Sequence, residues 1–453
     1  MSFKDIPIEK NSQHEVVIDG WSSDGCGVAH VNGYAVFVPF TIVGERWIIK
    51  IVKVSSNVIY GKGLKLLNAS ESRITPACKY FGKCGGCQTA HMTYEKELEY
   101  KLNQINDTLN HVGGIDFRIN HIVASNSETK YRNKTICAIG CENNRVVYGF
   151  YKKRSHDIIS IDKCMLQCDE ANKINDVIVK WMTDNHIKPY CEETGKGTVR
   201  HIFTRKAEYT DDFVLCIVTA RGFGDKTNDL VRTITENCPF VTGIVINVNK
   251  TRGNTVLAGD FHLLWGEPYI HDSLNGIKFQ IAPQAFYQVN PTQAEKLYNK
   301  IREYAELTQT ETVIDLYCGT GTIGLTLANE AKKVIGVEVV PEAVQNAIQN
   351  AKYNDISNIT FFCSDASELI DRADSPDVLI VDPPRKGLSG KVIELIVELS
   401  PSKLIYVSCN PSTLARDLNI LSHFFTIEKG CSFDMFPRTS HVETVVLMSR
   451  TTK

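Results

Sequence analysis

The most constraining stretch of the chain is Tyr406-Val-Ser-Cys-Asn-Pro-Ser-Thr-Leu-Ala-Arg-Asp417. A short apolar run, Lys403 to Val407, reads as a buried strand and delivers Cys409 to its C-terminal end. Asn410-Pro411 then forces a turn, and a helix is expected from Thr413 onward. In an α/β sheet the carboxyl ends of the strands are where ligands are held. A thiol placed there, with a helix N-terminus behind it, is expected to favour its thiolate form. Its neighbours decide whether such a cysteine is a structural core thiol or a reactive one.

Those neighbours are themselves strand ends. Thr312-Val-Ile-Asp-Leu-Tyr317 reads as a strand, and Cys318-Gly-Thr-Gly-Thr-Ile-Gly324 opens a helix behind it. A second strand, Val334-Ile-Gly-Val-Glu338, ends in a carboxylate placed to accept ribose hydroxyls. The glycines let the backbone approach a ligand closely, and they suit a dinucleotide as readily as S-adenosylmethionine. Val378-Leu-Ile-Val-Asp-Pro-Pro-Arg-Lys-Gly387 brings Asp382 to another strand end. Finally, Asp434-Met-Phe-Pro-Arg-Thr-Ser-His-Val-Glu443 precedes a last apolar strand and offers one more carboxylate. Upstream, Ile281 to Pro291 leads into a helix, with Asn290 a good N-cap and Pro291 suited to the first turn.

A chain of 453 residues holds about two or three domains. Its formal net charge of -2 gives no global basic field, so a nucleic-acid partner has to be met by local patches. The N-terminus lacks an apolar signal segment, and no stretch is long and apolar enough to span a bilayer, so a cytoplasmic protein is expected. Fifteen cysteines in that setting point to free thiols, metal or catalysis rather than disulfides.

Three of those thiols stand in Cys78-Lys-Tyr-Phe-Gly-Lys-Cys84-Gly-Gly-Cys87, where glycines let them converge on one metal centre. A fourth ligand is needed, and Cys164 and Cys168 are the candidates. Zinc and a [4Fe–4S] cluster both accept four thiolates, and spacing does not choose between them. Cys137, Cys141, Cys191, Cys216 and Cys238 have no such grouping and are expected in the core. After the cysteine loop, Leu98, Leu102, Ile105, Leu109 and Val112 form one helical stripe that Gly113-Gly114 ends, read as packing only. Lys130-Tyr-Arg-Asn-Lys134 and Tyr151-Lys-Lys-Arg154 flank an expected strand pair, Thr135–Ala138 and Val146–Tyr151. Basic residues interleaved with tyrosines suit phosphates and stacked single-stranded bases. Near the N-terminus, His14–Gly20, Gly33–Pro39 and Trp47–Val54 are strand-like runs separated by turn residues, a small β unit that must close on itself. Lys50, Lys53, Lys62 and Lys65 within it suit phosphates.

Taken together, the strand-end motifs resemble the RNA uracil-C5 methyltransferase family, and the glycine-rich cysteine loop is similar to the cluster site of its ribosomal-RNA members. Gly25-Cys-Gly-Val-Ala-His-Val-Asn-Gly33 followed by Phe37-Val-Pro resembles the TRAM domain, an OB-like barrel of RNA-modifying enzymes. Methyltransferases acting on exocyclic amines usually follow Asp-Pro-Pro with an aromatic, and RNA cytosine-C5 enzymes with a cysteine; Arg385 here argues against both. The resemblance implies a multidomain fold: a TRAM-like RNA-binding β-barrel over 1–70, a central α/β domain with the cysteine loop and basic hairpin over 71–270, and a Rossmann-like class I methyltransferase domain over 271–453.

It also implies roles. Cys409 would be the nucleophile that adds to uracil C6, and Glu443 the base that removes the C5 proton. Gln288, Tyr317, Glu338 and Asp382 would hold S-adenosylmethionine, with Asp365 near the adenine and Phe286 stacked on the pyrimidine. Cys78, Cys84, Cys87 and Cys164 would hold a [4Fe–4S] cluster, Cys168 being extra and zinc the alternative. The expected product is 5-methyluridine in 23S ribosomal RNA, made by a monomer with no membrane or obligate protein partner. Three other readings compete: the same chemistry on the transfer-RNA T-loop, an NAD-dependent oxidoreductase, and a non-enzymatic RNA-binding protein. The oxidoreductase leaves Cys409, Glu443 and Asp382-Pro-Pro idle, and the binding protein makes the strand-end constellation an accident.

Overall fold

The structure, a computed structural model, describes residues 7–55, 58–153, 155–253, 255–368 and 375–451. The first unit contains β1 (Gln13–Val17), β2 (Gly20–Trp21), β3 (Cys26–Val31), β4 (Tyr34–Pro39), β5 (Arg46–Val54) and β6 (Ile59–Asn68). They pair in the order β1-β5-β6-β4-β3-β2. Since β1 and β2 follow one another in the chain, the two ends of the sheet are brought together and no long edge stays open. Alternate residues point inward, as the two-residue period of a strand requires: Val36 and Val38, Ile49 and Ile51 are all fully buried. Lys53, Lys62 and Lys65 stay exposed on the outer side, and Lys50 lies directly opposite Lys62.

Past the cysteine loop comes α1 (Tyr94–His111), capped by Thr93, whose side chain accepts from the Lys96 amide, and then β7 (Ile122–Val123). Ile105 and Leu109 are buried as the apolar stripe demands, whereas Val112 lies past the helix and is exposed. Packing is not the whole account of this helix. Glu97 and Lys101 are fully buried, and the Lys101 ammonium donates to Glu97 Oε1 (2.8 Å), Asp434 Oδ1 (2.6 Å) and the Phe436 carbonyl (3.2 Å). Burial alone would depress the Lys101 pKa, but the two carboxylates outweigh it and raise it.

The second sheet contains β8 (Lys134–Glu142), β9 (Arg145–Tyr151), β10 (Ile158–Ser160), β11 (Val199–Lys206), β12 (Phe213–Thr219), β13 (Gly243–Val248) and β14 (Asp260–Gly266). Their order is β10-β9-β8-β11-β12-β13-β14, with only β12 and β13 parallel. Two helices, α2 (Asp169–Asp184) and α3 (Thr227–Asn237), bury Ile174, Ile178, Trp181, Leu230 and Ile234 in the same core as Ile202 and Leu215 of this sheet. The expected basic hairpin is β8–β9, but much of its charge is neutralised within the chain. Lys130 pairs with Asp169 and Lys153 with Asp24, while Arg154 lies outside the described residues. Of the five thiols expected in the core, Cys137, Cys216 and Cys238 are buried, but Cys141 and Cys191 are exposed. Cys141 stands beside the turn of the β8–β9 hairpin, and Cys191 in a short bridge to Lys196, both at the exposed margin of the sheet.

A short hairpin, β15 (Ile270–Leu274) and β16 (Ile277–Ile281), precedes the third sheet. The elements then run α4 (Pro291–Ala305), β17 (Thr312–Leu316), α5 (Thr322–Ala328), β18 (Lys333–Glu338), α6 (Pro341–Tyr353), β19 (Ile359–Cys363), β20 (Val378–Val381), α7 (Gly390–Leu399), β21 (Lys403–Ser408), α8 (Pro411–Leu421), β22 (Phe425–Phe433) and β23 (Glu443–Arg450). The eight strands lie in the order β19-β18-β17-β20-β21-β23-β22-β7. β17 to β21 are parallel and read as continuous apolar runs because helices cover both faces. Residues of α1 and β7, grouped by sequence with the central unit, pack here instead: Ile105 and Leu109 share a core with Leu316, Tyr406 and Leu414, and β7 pairs with β22. Helix α8 begins at Pro411, earlier than the expected Thr413, because the Asn410 side chain caps it by accepting from the Ser412 amide (3.1 Å) and Pro411 fills the first helical position.

Removing the Lys101 ammonium leaves Glu97 with only its Arg438 contacts and Asp434 with only the Tyr94 hydroxyl, so a buried charge loses its main partner. Lys101→Met is expected to cost about 3–5 kcal/mol, read as a lowered urea midpoint; a midpoint equal to that of the wild type would show that the network contributes nothing.

Candidate active site

The register of the third sheet lines up the sequence-derived residues before any side chain is considered. Leu316 pairs with both Val337 and Val381, so Tyr317, Glu338 and Asp382 stand at neighbouring strand ends. β20 and β21 are parallel neighbours, and β21 runs antiparallel to β23 with Ser408 opposite Thr444. The next residues beyond that pair are Cys409 and Glu443, close enough for the Glu443 carboxyl to act on the thiol. Five candidates therefore follow one another along a single edge, spanning the gap between β17 and β20 where the strand order reverses. This is the ligand-binding crevice of an open α/β sheet.

Local chemistry fixes each of these ends. Tyr317 turns the chain with φ of 66°, a left-handed conformation that a bulky residue adopts only when its surroundings impose it. Gly321, at φ of 80°, precedes α5, and a Cβ there would come within 2.8 Å of the Phe361 ring. Glu338 accepts the Gly319 amide on Oε2 (3.1 Å) and the Val340 amide on Oε1 (2.9 Å), which ties the second strand end to the glycine turn. Asn410 Nδ2 donates to the Arg385 carbonyl (2.9 Å), holding the Asp382-Pro-Pro-Arg385 segment against the turn that carries Cys409. Asp417 is fully buried and accepts from Tyr406 Oη (2.6 Å) and the Leu388 amide (2.8 Å), so the same segment is anchored at its far end.

The loop before α4 closes the other side. Arg205, fully buried on β11, donates to the carbonyls of Ala282 (2.7 Å) and Ala285 (2.9 Å), and Asn133 Nδ2 donates to the Gln288 carbonyl (3.0 Å). Gln288 is thereby buried, while Phe286 keeps 61% of its surface exposed on the lip. Asp365 is exposed and engaged by Ser367, which holds its carboxyl below the ordinary range.

The electrostatics depart from the sequence expectation. Burial, then the nearby Glu443 and Asp382 carboxylates, push the Cys409 thiol up to about 11, with Arg385 opposing. The thiolate that a helix N-terminus was expected to favour is therefore disfavoured in the free protein, since desolvation and two carboxylates outweigh a dipole that fades within one turn. Burial raises Asp382 to about 7, and it raises Glu443 well above the carboxylate range with Asp382 adding to the effect. Asp315 was missed as a candidate. It is fully buried on β17, accepts the Gly324 amide on Oδ2 (3.0 Å), leaves Oδ1 without a partner and is raised to about 8, chiefly by burial. Its signal was an acidic residue inside an apolar strand just before a glycine turn.

The second constellation also assembles. Cys78, Cys84, Cys87 and Cys164 line one cavity of about 530 Å³. Burial raises the Cys84, Cys87 and Cys164 pKa values, Cys87 to about 12, and the neighbouring thiols of the set add to it in each case. Cys168 is not among the lining residues; it occupies the N-cap position of α2. Among the described residues no three His, Cys, Asp or Glu side chains converge closely enough to hold a single metal ion. Arg132 and Lys134, expected to face RNA, line this cavity.

Residues 262–451 match the family described as tRNA (uracil-5-)-methyltransferase, and residues 9–64 match the TRAM domain. RNA methyltransferases of Clostridium acetobutylicum and Halalkalibacterium halodurans are 41% and 40% identical to the chain. The first aligns over 99% of this chain and 100% of its own length, the second over 99% of each. The chain belongs to the RNA uracil-5 methyltransferase family. Within solved structures it is similar to the Pyrococcus abyssi tRNA (uracil-54, C5)-methyltransferase in complex with S-adenosyl-L-homocysteine. That likeness has a TM-score of 0.79 at 26% identity and covers 96% of this chain and 99% of the other. The family and the strand-edge constellation agree on methyl transfer, and the oxidoreductase reading is set aside.

A carboxyl whose folded pKa lies above its unfolded value holds its proton more tightly when folded, so its contribution favours the folded state at low pH. That contribution fades as pH rises from the unfolded Asp value of 3.8 to about 7 for Asp382. Asp382→Asn is therefore expected to stabilise the free protein at pH 8 by on the order of 1–3 kcal/mol while lowering activity. Thermal melting across that pH range checks it, and a variant that is less stable at pH 8 would refute the burial assignment.

Proposed function

We propose that the protein methylates uridine C5 in 23S ribosomal RNA, with Cys409 as nucleophile and Glu443 as base. The observation that carries this reading is the β21–β23 register, which sets that thiol beside that carboxyl at the edge where Asp382 also ends. Uracil C5 is a poor nucleophile until the conjugation of the ring is broken. Once the Cys409 proton has passed to solvent, its sulfur would bond to C6 and the electron pair of the C5–C6 double bond would move to C5; C5 would then take the methyl carbon as that carbon's bond to the donor's sulfonium breaks and a neutral thioether leaves. Glu443 then takes the C5 proton, the C5–C6 double bond re-forms, and the sulfur leaves with the electron pair of its bond. The target base must leave its stack to reach this edge, and the exposed Phe286 is suited to receive it.

The chain's residues fit the methyl donor. Asp315 offers an unpartnered buried carboxylate oxygen, and Asp382, Glu338 and Tyr317 stand at the neighbouring strand ends, an acidic edge suited to a cationic ligand. S-adenosylmethionine, when bound, supplies both the methyl group and a positive sulfonium. Positive charge at this edge lowers the thiol pKa by offsetting the carboxylates that raise it.

The four thiols lining one cavity support a [4Fe–4S] cluster on Cys78, Cys84, Cys87 and Cys164. Zinc on the same four thiols is the alternative, since both groups accept four thiolates. Arg132, Lys134, Lys163 and Arg438 around the cavity complement its negative charge. We further assign RNA contact to the barrel of residues 1–70, where like-charged Lys50 and Lys62 face each other, an arrangement that an anionic partner relieves. Residues 71–270 would carry the cluster and 271–453 the chemistry. One observation favours a second substrate: the Pyrococcus abyssi enzyme, named for uracil 54 of transfer RNA, matches nearly the whole chain, barrel region included.

Incubation with 5-fluorouridine RNA and S-adenosylmethionine is expected to give a covalent protein–RNA species through Cys409, absent in Cys409→Ala; methyl transfer persisting in that variant would remove Cys409 from its role. Mass-spectrometric mapping of 5-methyluridine in both RNAs from cells lacking the gene separates the substrates, since the missing site names the target. Anaerobically purified protein is expected to be brown and to contain iron and sulfide, both lost in Cys84→Ser; colourless protein holding stoichiometric zinc would overturn the cluster assignment.

A further inference from the structure

The segment that leads into Glu443 is held from behind by the cysteine loop, and one residue carries the connection. Arg438 sits at φ of 68°, a left-handed conformation unfavourable for its side chain, and its amide, its carbonyl and both terminal guanidinium nitrogens are engaged. Its amide donates to Glu97 Oε1 of α1 (2.7 Å). Its carbonyl accepts the amides of Gln88 (3.0 Å) and Thr89 (3.3 Å), the two residues that directly follow Cys87. Its guanidinium donates to the Met92 carbonyl (2.9 Å) and Glu97 Oε2 (3.4 Å) and pairs with Glu128. Two residues on, the Ser440 amide donates to Gln88 Oε1 (3.3 Å). Arg438 also lines the cysteine cavity, while Glu443 opens β23 only five positions further along the chain.

We propose that Gln88 and Arg438 are positioning residues for Glu443, so that the geometry of the cysteine loop governs proton removal from C5. The inference rests on the reading of Cys409 as nucleophile and Glu443 as base. Neither residue is assigned contact with substrate; both act through the backbone of 438–442. Cys409 is held separately, by the Asn410 bond to Arg385 and by α8, so the two halves of the reaction are supported by different contacts. Loosening the Gln88–Arg438 contacts therefore leaves sulfur addition and methyl transfer intact. It slows the later step, in which Glu443 takes the C5 proton, the double bond re-forms and the sulfur departs.

The test is to follow unmodified uridine RNA with wild type, Gln88→Ala, Gln88→Glu and Arg438→Lys. The covalent methylated adduct and released product are measured separately, with RNA carrying hydrogen or deuterium at C5. Gln88→Ala and Arg438→Lys are expected to lower turnover about ten- to hundredfold with KM little changed. They should also accumulate the methylated adduct and show a primary deuterium isotope effect on turnover. Gln88→Glu keeps an acceptor for the Ser440 amide but loses the Nε2 donor to the Gly85 carbonyl (2.9 Å), so it should partition between wild type and Gln88→Ala. Loss of turnover without adduct and without an isotope effect, or turnover equal to wild type in both variants, would overturn the positioning role. Two controls isolate the underlying reading: wild type must trap on 5-fluorouridine RNA, and Glu443→Gln must accumulate adduct. If either control fails, the nucleophile–base assignment falls; if both hold and the two variants behave as wild type, only the present inference falls.

Discussion

The antiparallel pairing of β21 with β23 is the constraint on which the rest depends. Strands β17 to β21 are all parallel, so their ligand-binding ends can offer only residues that follow a strand. By entering the sheet in the opposite direction, β23 presents a residue that begins a strand at the same edge. That reversal brings a carboxyl from the end of the chain to a thiol more than thirty residues earlier, with neither supplied by a flexible loop. Because a ladder admits no one-residue slip without inverting every buried side chain, the juxtaposition is as rigid as the core beneath it.

The same edge is electrostatically unfavourable to the empty protein. Asp315 and Glu443 are buried and Asp382 is half-buried, and each is raised above its ordinary range, chiefly by desolvation. Desolvation and the nearby Glu443 and Asp382 carboxyls push the Cys409 thiol up as well. The surrounding apolar layers make this tolerable. Ile314, Leu379, Ile380, Leu404 and Ile405 are fully buried on the strands that present these groups.

The α1 helix shows how far a pattern-based reading extends. Its apolar stripe was legible, and Ile105 and Leu109 pack as that stripe requires. The buried Glu97–Lys101–Asp434 cluster was not, since an i, i+4 Glu–Lys pair on a helix is ordinarily a solvated surface feature. Only the approach of Asp434, more than three hundred residues away in sequence, turns it inward. The basic hairpin illustrates the converse. Its lysines and arginines look available for phosphate, yet Lys130 and Lys153 meet carboxylates that the chain brings to them, and Arg132 and Lys134 turn toward the cysteines.

From sequence alone one could read the strands, the glycine turn, the carboxylate, Asp-Pro-Pro and thiol at their ends, and the thiols of the cysteine loop, because each is a local property of spacing and residue type. Tertiary structure decided what those pieces become together. It chose Cys164 over Cys168 for the cavity, set the ionisation of Cys409 against what its helix would favour, exposed Asp315 as a buried acceptor and joined the cysteine loop to Arg438. Each of these depends on desolvation or on a contact between distant segments. Neither quantity is a property of any window of residues; both arise only when separate elements exclude water from one another.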